Sequence, residues 1–284
     1  MRIKQYSIGG VRLRVESEEE ISDSGFFPLF RIGDENPVDV TVRVTRSPLP
    51  RFGEKELPSD RRRYRITDGG QSYGFVFFAD SDHPAFTPYA CEVPRGDGID
   101  LYIDYEQPFW DGMIFDALDV GRLFLLRRGA VVHASFITAG NRGILFAGPK
   151  QIGKSTQASL WERYRGAEII NGDRAVIRNE SGKWLAYGPP FCGSSSICLN
   201  EKSHLFAIAF PAKSDYNTVE RLSPFDAFKR LIGCFTYPED DVSVRDTAIS
   251  FAEEIVSSVP CLLLKCRPDY GAVETLAKEL CIEA

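Results

Sequence analysis

Residues 147–157, AGPKQIGKSTQ, have the residue types and spacing of a phosphate-binding loop. Gly148, Gly153, Lys154 and Ser155 satisfy the pattern G-x-x-x-x-G-K-[ST]. In such a loop, backbone N–H groups and the positive end of the next helix receive phosphate oxygens, while the lysine reaches the outer phosphates and the hydroxyl ligates Mg²⁺. The spacing therefore predicts a site for ATP, or another nucleoside triphosphate, with Mg²⁺.

Two residues of the loop are unusual for its type. Pro149 removes one backbone donor and stiffens the start of the loop, because its φ is fixed. Lys150 either adds a cation beside the phosphates or is simply solvated. The amides from Gln151 to Ser155 stay available, so we predict that the loop still binds nucleotide. The predicted nucleotide-binding residues are Gly148, Pro149, Lys150, Gln151, Ile152, Gly153, Lys154, Ser155 and Thr156.

Asp173 is the acid that such a phosphate site requires. It follows the loop by one helix and one short strand, which is enough chain to return it to the same edge of a sheet. The alternative is an ordinary turn aspartate, since Asn, Gly and Asp in NGDR are common turn residues. We predict Ser155 and Asp173 as metal ligands, and Asp173 with Lys154 as catalytic residues.

His133 is a second catalytic candidate. If AVVHASFI (130–137) pairs antiparallel with ILFAG (144–148), His133 lies opposite Gly148 at the mouth of the loop, within about two residues of register. A histidine beside phosphates can move a proton or contact the γ-phosphate. A half-buried histidine hydrogen-bonded within a sheet is the equally weighted alternative.

The elements that must position these residues alternate between strands and helices. Apolar periodicity predicts one helix over 110–129 that stops at Gly129, and a second over 154–166 that ends at Gly166. It also predicts a hairpin around Ser181–Gly182 and, in the tail, two more strands and two more helices. This pattern favours a mixed α/β fold around one sheet.

The first ~108 residues predict β structure instead. Alternation places Val11, Leu13 and Val15 on one face of a strand. A second run does the same with Val38, Val40, Val42 and Val44. We predict an antiparallel β-rich N-terminal module over 1–108 and a nucleotide-binding domain over 109–284, with the boundary at Pro108.

Composition excludes several functional classes. The chain has 284 residues and a net charge of −6, which argues against nucleic acid as a partner. The basic cluster Arg61, Arg62, Arg63 and Arg65 precedes a turn, so a solvated edge strand is predicted there. Neither an N-terminal leader nor a membrane-spanning run is expected.

The cysteines point to a reducing compartment. There are seven, scattered along the chain, which predicts reduced thiols and a cytoplasmic protein. Cys192, Cys198 and His204 match no usual zinc spacing, so we favour packing over a metal site for them.

The segment VVHASFITAGNRGILFAGPKQIGKSTQASLWERYRGAEIINGDRAVI resembles the kinase core of the HPr kinase/phosphorylase family. A looser resemblance extends over roughly residues 115–275. That family is grouped by fold with phosphoenolpyruvate carboxykinases, so the resemblance implies such a core. It also implies ATP with Mg²⁺ at the loop, Asp173 as metal partner or base, His133 in the active site, and an active-site loop at 187–196.

The sequence also departs from that family. HPr kinases have two adjacent aspartates where this chain has Gly172–Asp173, and no HPr-gripping segment is recognisable, so HPr itself is not the expected partner. The leading hypothesis is a kinase that transfers the γ-phosphoryl to a hydroxyl of a protein, peptide or small molecule. The alternative is a nucleotide-binding regulatory or scaffold protein with little turnover. Oligomers are compatible with either.

Overall fold

A computed structural model describes residues 1–51, 62–77, 88–239 and 241–282. The chain divides into two compact units, Met1–Asp119 and Val120–Ala284. This division lies beyond the predicted boundary at residue 108. The reason is that the helix beginning at Asp111 packs within the first unit, where the ring of Phe115 stacks on that of Phe27 with centroids 4.6 Å apart.

The first unit is built from strands, one 3₁₀ turn at Phe27–Phe30 and the helix α1 (Asp111–Ala117). The strands are β1 (Arg2–Ile8), β2 (Val11–Ser17), β3 (Ile21–Ser22), β4 (Arg31–Ile32), β5 (Val40–Arg46), β6 (Arg63–Asp68), β7 (Gln71–Phe77), β8 (Pro88–Arg95), β9 (Gly98–Ile103) and β10 (Phe109–Trp110). Eight of them form a sheet in the order β4-β1-β2-β5-β9-β8-β7-β6, and β3 pairs with β10.

The predicted β-rich character of this unit is seen in the structure, but its predicted antiparallel arrangement is wrong in part. β5 runs parallel to both β2 and β9. The chain between β2 and β5 contains two further strands and a 3₁₀ turn, and so is long enough to cross over and re-enter in the same direction. The apolar faces of β2 and β5 are buried as predicted, except that Val38 precedes β5 and is exposed.

The arginine-rich segment forms the edge strand β6, as predicted, although Arg61 lies outside the described residues. The prediction that its side chains are all solvated is wrong for Arg65. The Arg65 guanidinium is 8% exposed and lies 3.2 Å from Glu92 and 3.5 Å from Asp119. Carboxylates on neighbouring elements thus bury a cation that the local sequence made look exposed.

The second unit alternates strands and helices. Its strands are β11 (Gly129–Ala139), β12 (Arg142–Ala147), β13 (Glu168–Asn171), β14 (Arg174–Glu180), β15 (Lys183–Tyr187), β16 (Lys202–Lys213), β17 (Thr218–Arg221) and β18 (Cys261–Cys266). Its helices are α2 (Val120–Leu125), α3 (Lys154–Arg165), α4 (Pro224–Ile232), α5 (Val242–Ser258) and α6 (Tyr270–Glu279). A 3₁₀ turn covers Gly193–Ser195.

The sheet of the second unit is mixed and has the order β12-β11-β14-β15-β16-β18-β17, with β13 paired to β11. β12 also pairs with β16, and these two strands run parallel, as do β16 and β18. The register of β11 on β12 pairs Ala134 with Ala147, which confirms the predicted placement of His133 at the level of Gly148. The phosphate-loop segment therefore begins beside the histidine strand.

Helices cover both faces of this sheet. One buried cluster joins Leu145, Ile208 and Leu263 to residues of α4 and α5. The other joins Phe146, Ala209 and Leu264 to residues of α3 and α6. A mixed α/β fold is therefore observed, as predicted.

One helix prediction was wrong, and one helix was not predicted. The single helix over 110–129 is two short helices, because buried Leu118 is extended and the Asp119 amide donates to a Glu92 carboxylate oxygen at 2.6 Å. Gly129 begins β11 instead of ending a helix. Helix α5 was not predicted; its first turn is capped by the side chain of Asp241.

Two sequence expectations concern cysteines and membranes. All seven cysteines lie within the described residues, and each carries a free thiol. Among the helices of the described ranges, none is long and apolar enough to cross a bilayer.

Candidate active site

The phosphate loop joins the end of β12 to the start of α3. Gly148 and Gly153 have φ values of 148° and 111°, a region that favours glycine because it lacks a Cβ. Gln151 also has positive φ, at 64°. Gly153 is the residue before the first helical turn, so α3 begins at Lys154 and its N-terminus faces the loop. The strand, loop and helix that the motif requires are all present.

Lys154 points its ammonium back into the loop. Its Nζ donates to the carbonyl oxygens of Gly148 at 3.0 Å and Pro149 at 2.9 Å, and the residue is 6% exposed. Burial lowers the pKa of Lys154 below its ordinary value. Among the described residues, the hydrogen-bond partners of the buried ammonium are therefore two backbone carbonyls of its own loop.

Asn171 organises the turn that carries Asp173. Its Oδ1 accepts from the backbone N–H groups of Asp173 at 2.9 Å and Arg174 at 2.8 Å. Its Nδ2 donates to the carbonyls of Pro189 at 2.9 Å and Phe191 at 3.0 Å. The Asn171 side chain is fully buried, so these bonds fix the turn and join it to the loop that begins at Gly188.

His133 and Asp173 are in contact. The His133 Nε2 lies 3.1 Å from Asp173 Oδ1, and Arg174 Nε lies 3.4 Å from Asp173 Oδ2. The hydrogen bond from His133 is the main cause that holds the pKa of Asp173 below its usual value, while burial acts in the opposite sense. An ionised Asp173 accepts from Nε2–H, which assigns the proton to that nitrogen.

The carbonyl of Gly172 brings the loop helix and the Asp173 turn together. It accepts from the buried Ser135 hydroxyl at 2.8 Å and lies 3.5 Å from the Ser155 hydroxyl. Ser155 is exposed in the first turn of α3. The hydroxyl and the carboxylate that were predicted to hold a metal therefore belong to adjacent parts of one site.

The loop after β15 lies directly on this turn. A Cβ built on Gly172 would be 2.3 Å from both Cβ and Oγ of Ser195. A Cβ on Gly193 would be 2.8 Å from Asp173 Oδ2. The close approach explains why residue 172 is glycine: any larger side chain would have to displace the Ser195 turn.

Most predicted site residues lie around this point. Gly148, Lys154 and Ser155 meet His133 and Asp173 at the carboxyl end of β12. Pro149, Lys150, Gln151 and Thr156 are exposed, and Ile152 and Gly153 are half-buried. Whether each of them contacts nucleotide stays a prediction.

The alternative metal set gains no support. Cys198 donates its thiol hydrogen to the carbonyl of Pro189 at 3.1 Å, and burial raises its pKa to about 12. Across the described ranges, no group of three or more His, Cys, Asp or Glu side chains is arranged to hold a metal ion.

Sequence reasoning missed Ser135, Asn171 and Arg174. Ser135 follows His133 by two residues on the same strand, so its side chain lies on the same face as the histidine. Asn171 is a polar residue that ends the buried strand AEIIN, and this was the available signal. The bond from Ser135 to Gly172 and the bond from Asn171 to Pro189 join residues that are distant in sequence, so spacing does not reveal them.

The donor set fits a nucleoside triphosphate with Mg²⁺. The first-turn amides of α3 have no acceptor within the helix, and they open toward the loop that holds the Lys154 ammonium. Ser155 and Asp173 offer two hard oxygen donors. Mg²⁺ commonly takes one or two carboxylates together with substrate phosphates, so a complete cage of protein ligands is not needed.

Comparisons with known proteins were made at three levels. No family model matches the chain, and no curated protein matches it. Among solved structures, the HPr(Ser) kinase/phosphatase from Coxiella burnetii is similar over 52% of this chain and 88% of that chain, with 15% identity and a TM-score of 0.31. A likeness this weak supports neither a shared fold nor a shared function. The phosphoenolpyruvate carboxykinase-like core therefore stays a prediction.

Proposed function

We propose that the second unit is an ATP- and Mg²⁺-dependent phosphotransferase that acts on a hydroxyl group. The carrying observation is that a complete phosphate loop and the hydrogen-bonded His133–Asp173 pair meet across the carbonyl of Gly172. Neither feature alone would favour transfer over binding. Together they provide, at one place, a loop that can bind phosphate, a cation and a carboxylate that can contact the acceptor.

Each residue of the site has a separate role in the proposed phosphoryl transfer. The loop amides and Lys154 bind and neutralise the phosphates, and Ser155 with Asp173 would hold Mg²⁺, which supplies further charge neutralisation when bound. The acceptor oxygen forms a bond to the γ-phosphorus while the bond to the β–γ bridging oxygen breaks. The hydroxyl proton passes to the Asp173 carboxylate, and ADP leaves.

The lowered pKa of Asp173 refines its role. A carboxylate with a depressed pKa stays ionised and is a weak base at neutral pH. Asp173 therefore orients the acceptor hydroxyl and takes its proton late, as the P–O bond forms. His133 holds the carboxylate in place by donating its Nε2–H, which makes it a positioning residue.

The alternative function, a nucleotide-binding regulator with little turnover, is favoured by one observation. Only one carboxylate lies on the turn, and Ser195 fills the space beside it. Both functions need bound nucleotide, so binding alone does not separate them.

The test is nucleotide affinity and slow ATP hydrolysis of the full chain with Mg²⁺. Lys154→Ala is expected to weaken ATP binding about 10- to 100-fold, because it removes charge-assisted hydrogen bonds. Lys183→Ala, on the exposed end of β15, is the control and should bind like wild type. Wild-type protein that binds no ATP at all would refute the proposal.

Asp173→Asn separates the two functions. It keeps the shape of the side chain while removing its charge, and turnover should fall about 10²- to 10⁴-fold with ATP affinity within a few-fold of wild type. Turnover that is unchanged in Asp173→Asn would contradict the kinase. Circular dichroism and thermal melting check that both variants remain folded.

A further inference from the structure

The 3₁₀ turn Gly193–Ser195 presents a serine hydroxyl to the proposed transfer site. Ser195 Oγ would be 2.3 Å from a Cβ on Gly172, the residue that precedes Asp173. The Asp173 carboxylate in turn approaches Gly193 within the same turn. The turn that contains Ser195 thus packs directly against Gly172 and Asp173.

Ser155 approaches the same residue through its carbonyl group. Its hydroxyl is 3.5 Å from the carbonyl oxygen of Gly172. Ser195 and Ser155 therefore approach a single residue, one from the loop after β15 and the other from the helix that follows the phosphate loop. A phosphoryl group bound at the helix N-terminus would be close to the Ser195 hydroxyl.

The chain holds Ser195 in this place. Asn171 anchors Pro189 and Phe191 before the turn, and the Gly172 amide donates to the carbonyl of Ile197 after it at 3.4 Å. A hydroxyl fixed in this manner needs no diffusional encounter to react, and such pre-positioning is a large part of the advantage of intramolecular reactions.

The Ser195 hydroxyl is also chemically available. It is half-buried, donates to the Cys192 carbonyl at 2.6 Å and accepts only a long 3.4 Å contact from the Ile197 amide. Its proton is held by a neutral carbonyl of its own turn. The Asp173 carboxylate, which lies against Gly193 of the same turn, is the candidate acceptor for that proton.

We infer that Ser195 is phosphorylated by the site it packs against, within the same molecule. The inference rests on the proposed phosphotransferase function. The Ser195 oxygen forms a bond to the γ-phosphorus of bound ATP, and the bond to the β–γ bridging oxygen breaks. ADP departs, and the serine proton goes to Asp173 and then to water. The turn therefore occupies the place of an external acceptor until one arrives.

The experiment incubates the full-length protein with Mg²⁺ and ATP, with no added acceptor, and follows intact mass and site-localised tandem mass spectra over time. We expect one phosphate on Ser195, with a first-order rate constant that does not change with protein concentration. Ser195→Ala should abolish the modification, and Asp173→Asn and Lys154→Ala should each lower its rate constant at least about tenfold. Ser250→Ala, which changes an exposed serine of α5 outside the site, should still carry the phosphate on Ser195.

ATP binding measured on the same samples distinguishes two failures. If wild-type protein binds ATP but Ser195 stays unmodified, the inference is wrong while the proposed function stands. If it binds no ATP, both fall. Phosphate that persists in Ser195→Ala, or a rate that rises in proportion to protein concentration, also overturns the inference. Ser195→Thr, which keeps a hydroxyl, should restore modification and guards against a mere folding defect.

Discussion

Each unit of the molecule contains a cluster of partly or fully buried charged side chains. The two clusters differ in how far their side chains are exposed and in which groups they contact. In the first unit, Arg65 lies between Glu92 and Asp119, and Arg65 and Glu92 are 8% and 3% exposed. In the second, the side chains of His133 and Asp173 are 26% and 27% exposed. One cluster is closed by protein partners, while the other is open to a further one.

The two clusters also differ in the hydrogen-bond partners of their charged groups. The Glu92 carboxylate receives both the Arg65 guanidinium and the Asp119 amide, so it is satisfied by the fold. In the second unit the hydrogen bonds of the Lys154 ammonium to the described residues go to two backbone carbonyls of its own loop. A buried ion pair whose partners are all protein groups stabilises the fold. An ammonium that is hydrogen-bonded to neutral carbonyls can instead exchange these partners for an anion. Exposure and partner type together distinguish the candidate site from the charge cluster of the first unit.

The largest effect on stability is expected at the closed cluster. Arg65→Met leaves two carboxylates buried without their cation and should lower the free energy of unfolding by about 3–5 kcal/mol. Chemical denaturation followed by tryptophan fluorescence measures it. Arg12→Met is the matched control in the same unit, since its pair with Asp39 is largely exposed and should leave the midpoint nearly unchanged. Equal effects of the two variants would contradict the comparison.

A smaller effect is expected where the open site meets its covering loop. In Gly172→Ala the new Cβ would collide with Ser195, so the turn must move. We expect a loss of about 1–3 kcal/mol from this overpacking. The double variant Gly172→Ala, Ser195→Gly removes the colliding side chain and should recover most of the loss. No recovery would mean that the backbone at 172, and not Ser195, requires glycine.

The smallest effect is expected at His133. His133→Ala removes the hydrogen bond that lowers the pKa of Asp173, so this pKa should rise, as followed by ¹³C NMR of the carboxyl carbon. In wild type the ionised Asp173 stabilises the fold above its unfolded pKa of about 3.9, and this contribution is lost as pH falls through the lower folded value. The stability difference between the proteins should therefore shrink below about pH 4. His133→Gln, which restores an N–H donor, should lower the pKa again.

The same contrast explains how far the sequence could predict the molecule. The phosphate loop is a contiguous motif, and the β11–β12 register follows from a short turn, so Lys154 and His133 were both placed correctly in the fold. The resemblance implied an active-site loop at 187–196, which contains Ser195, but the contacts of Ser195 and Ser135 with Gly172 and of Asn171 with Pro189 join distant residues, and spacing cannot show these contacts. Arg65 was misjudged for the same reason, because its carboxylates arrive from β8 and Asp119.

Helix ends follow this rule as well. The end of α3 at Gly166 is local, since a glycine with φ of 60° terminates the helix, and it was predicted. The break at Leu118 depends on the Glu92 side chain receiving the Asp119 amide, so periodicity alone merged α1 and α2.

The contacts of Lys154 with Gly148 and Pro149 have a consequence for the thermodynamics of binding. Because the ammonium already bridges two carbonyls of its own loop, the loop holds its shape before any phosphate arrives. Binding then exchanges one set of oxygen partners for another and orders little new backbone. Calorimetry of ATP binding should accordingly show a favourable binding enthalpy. The conformational entropy penalty should be far below that of a loop that must fold around its ligand.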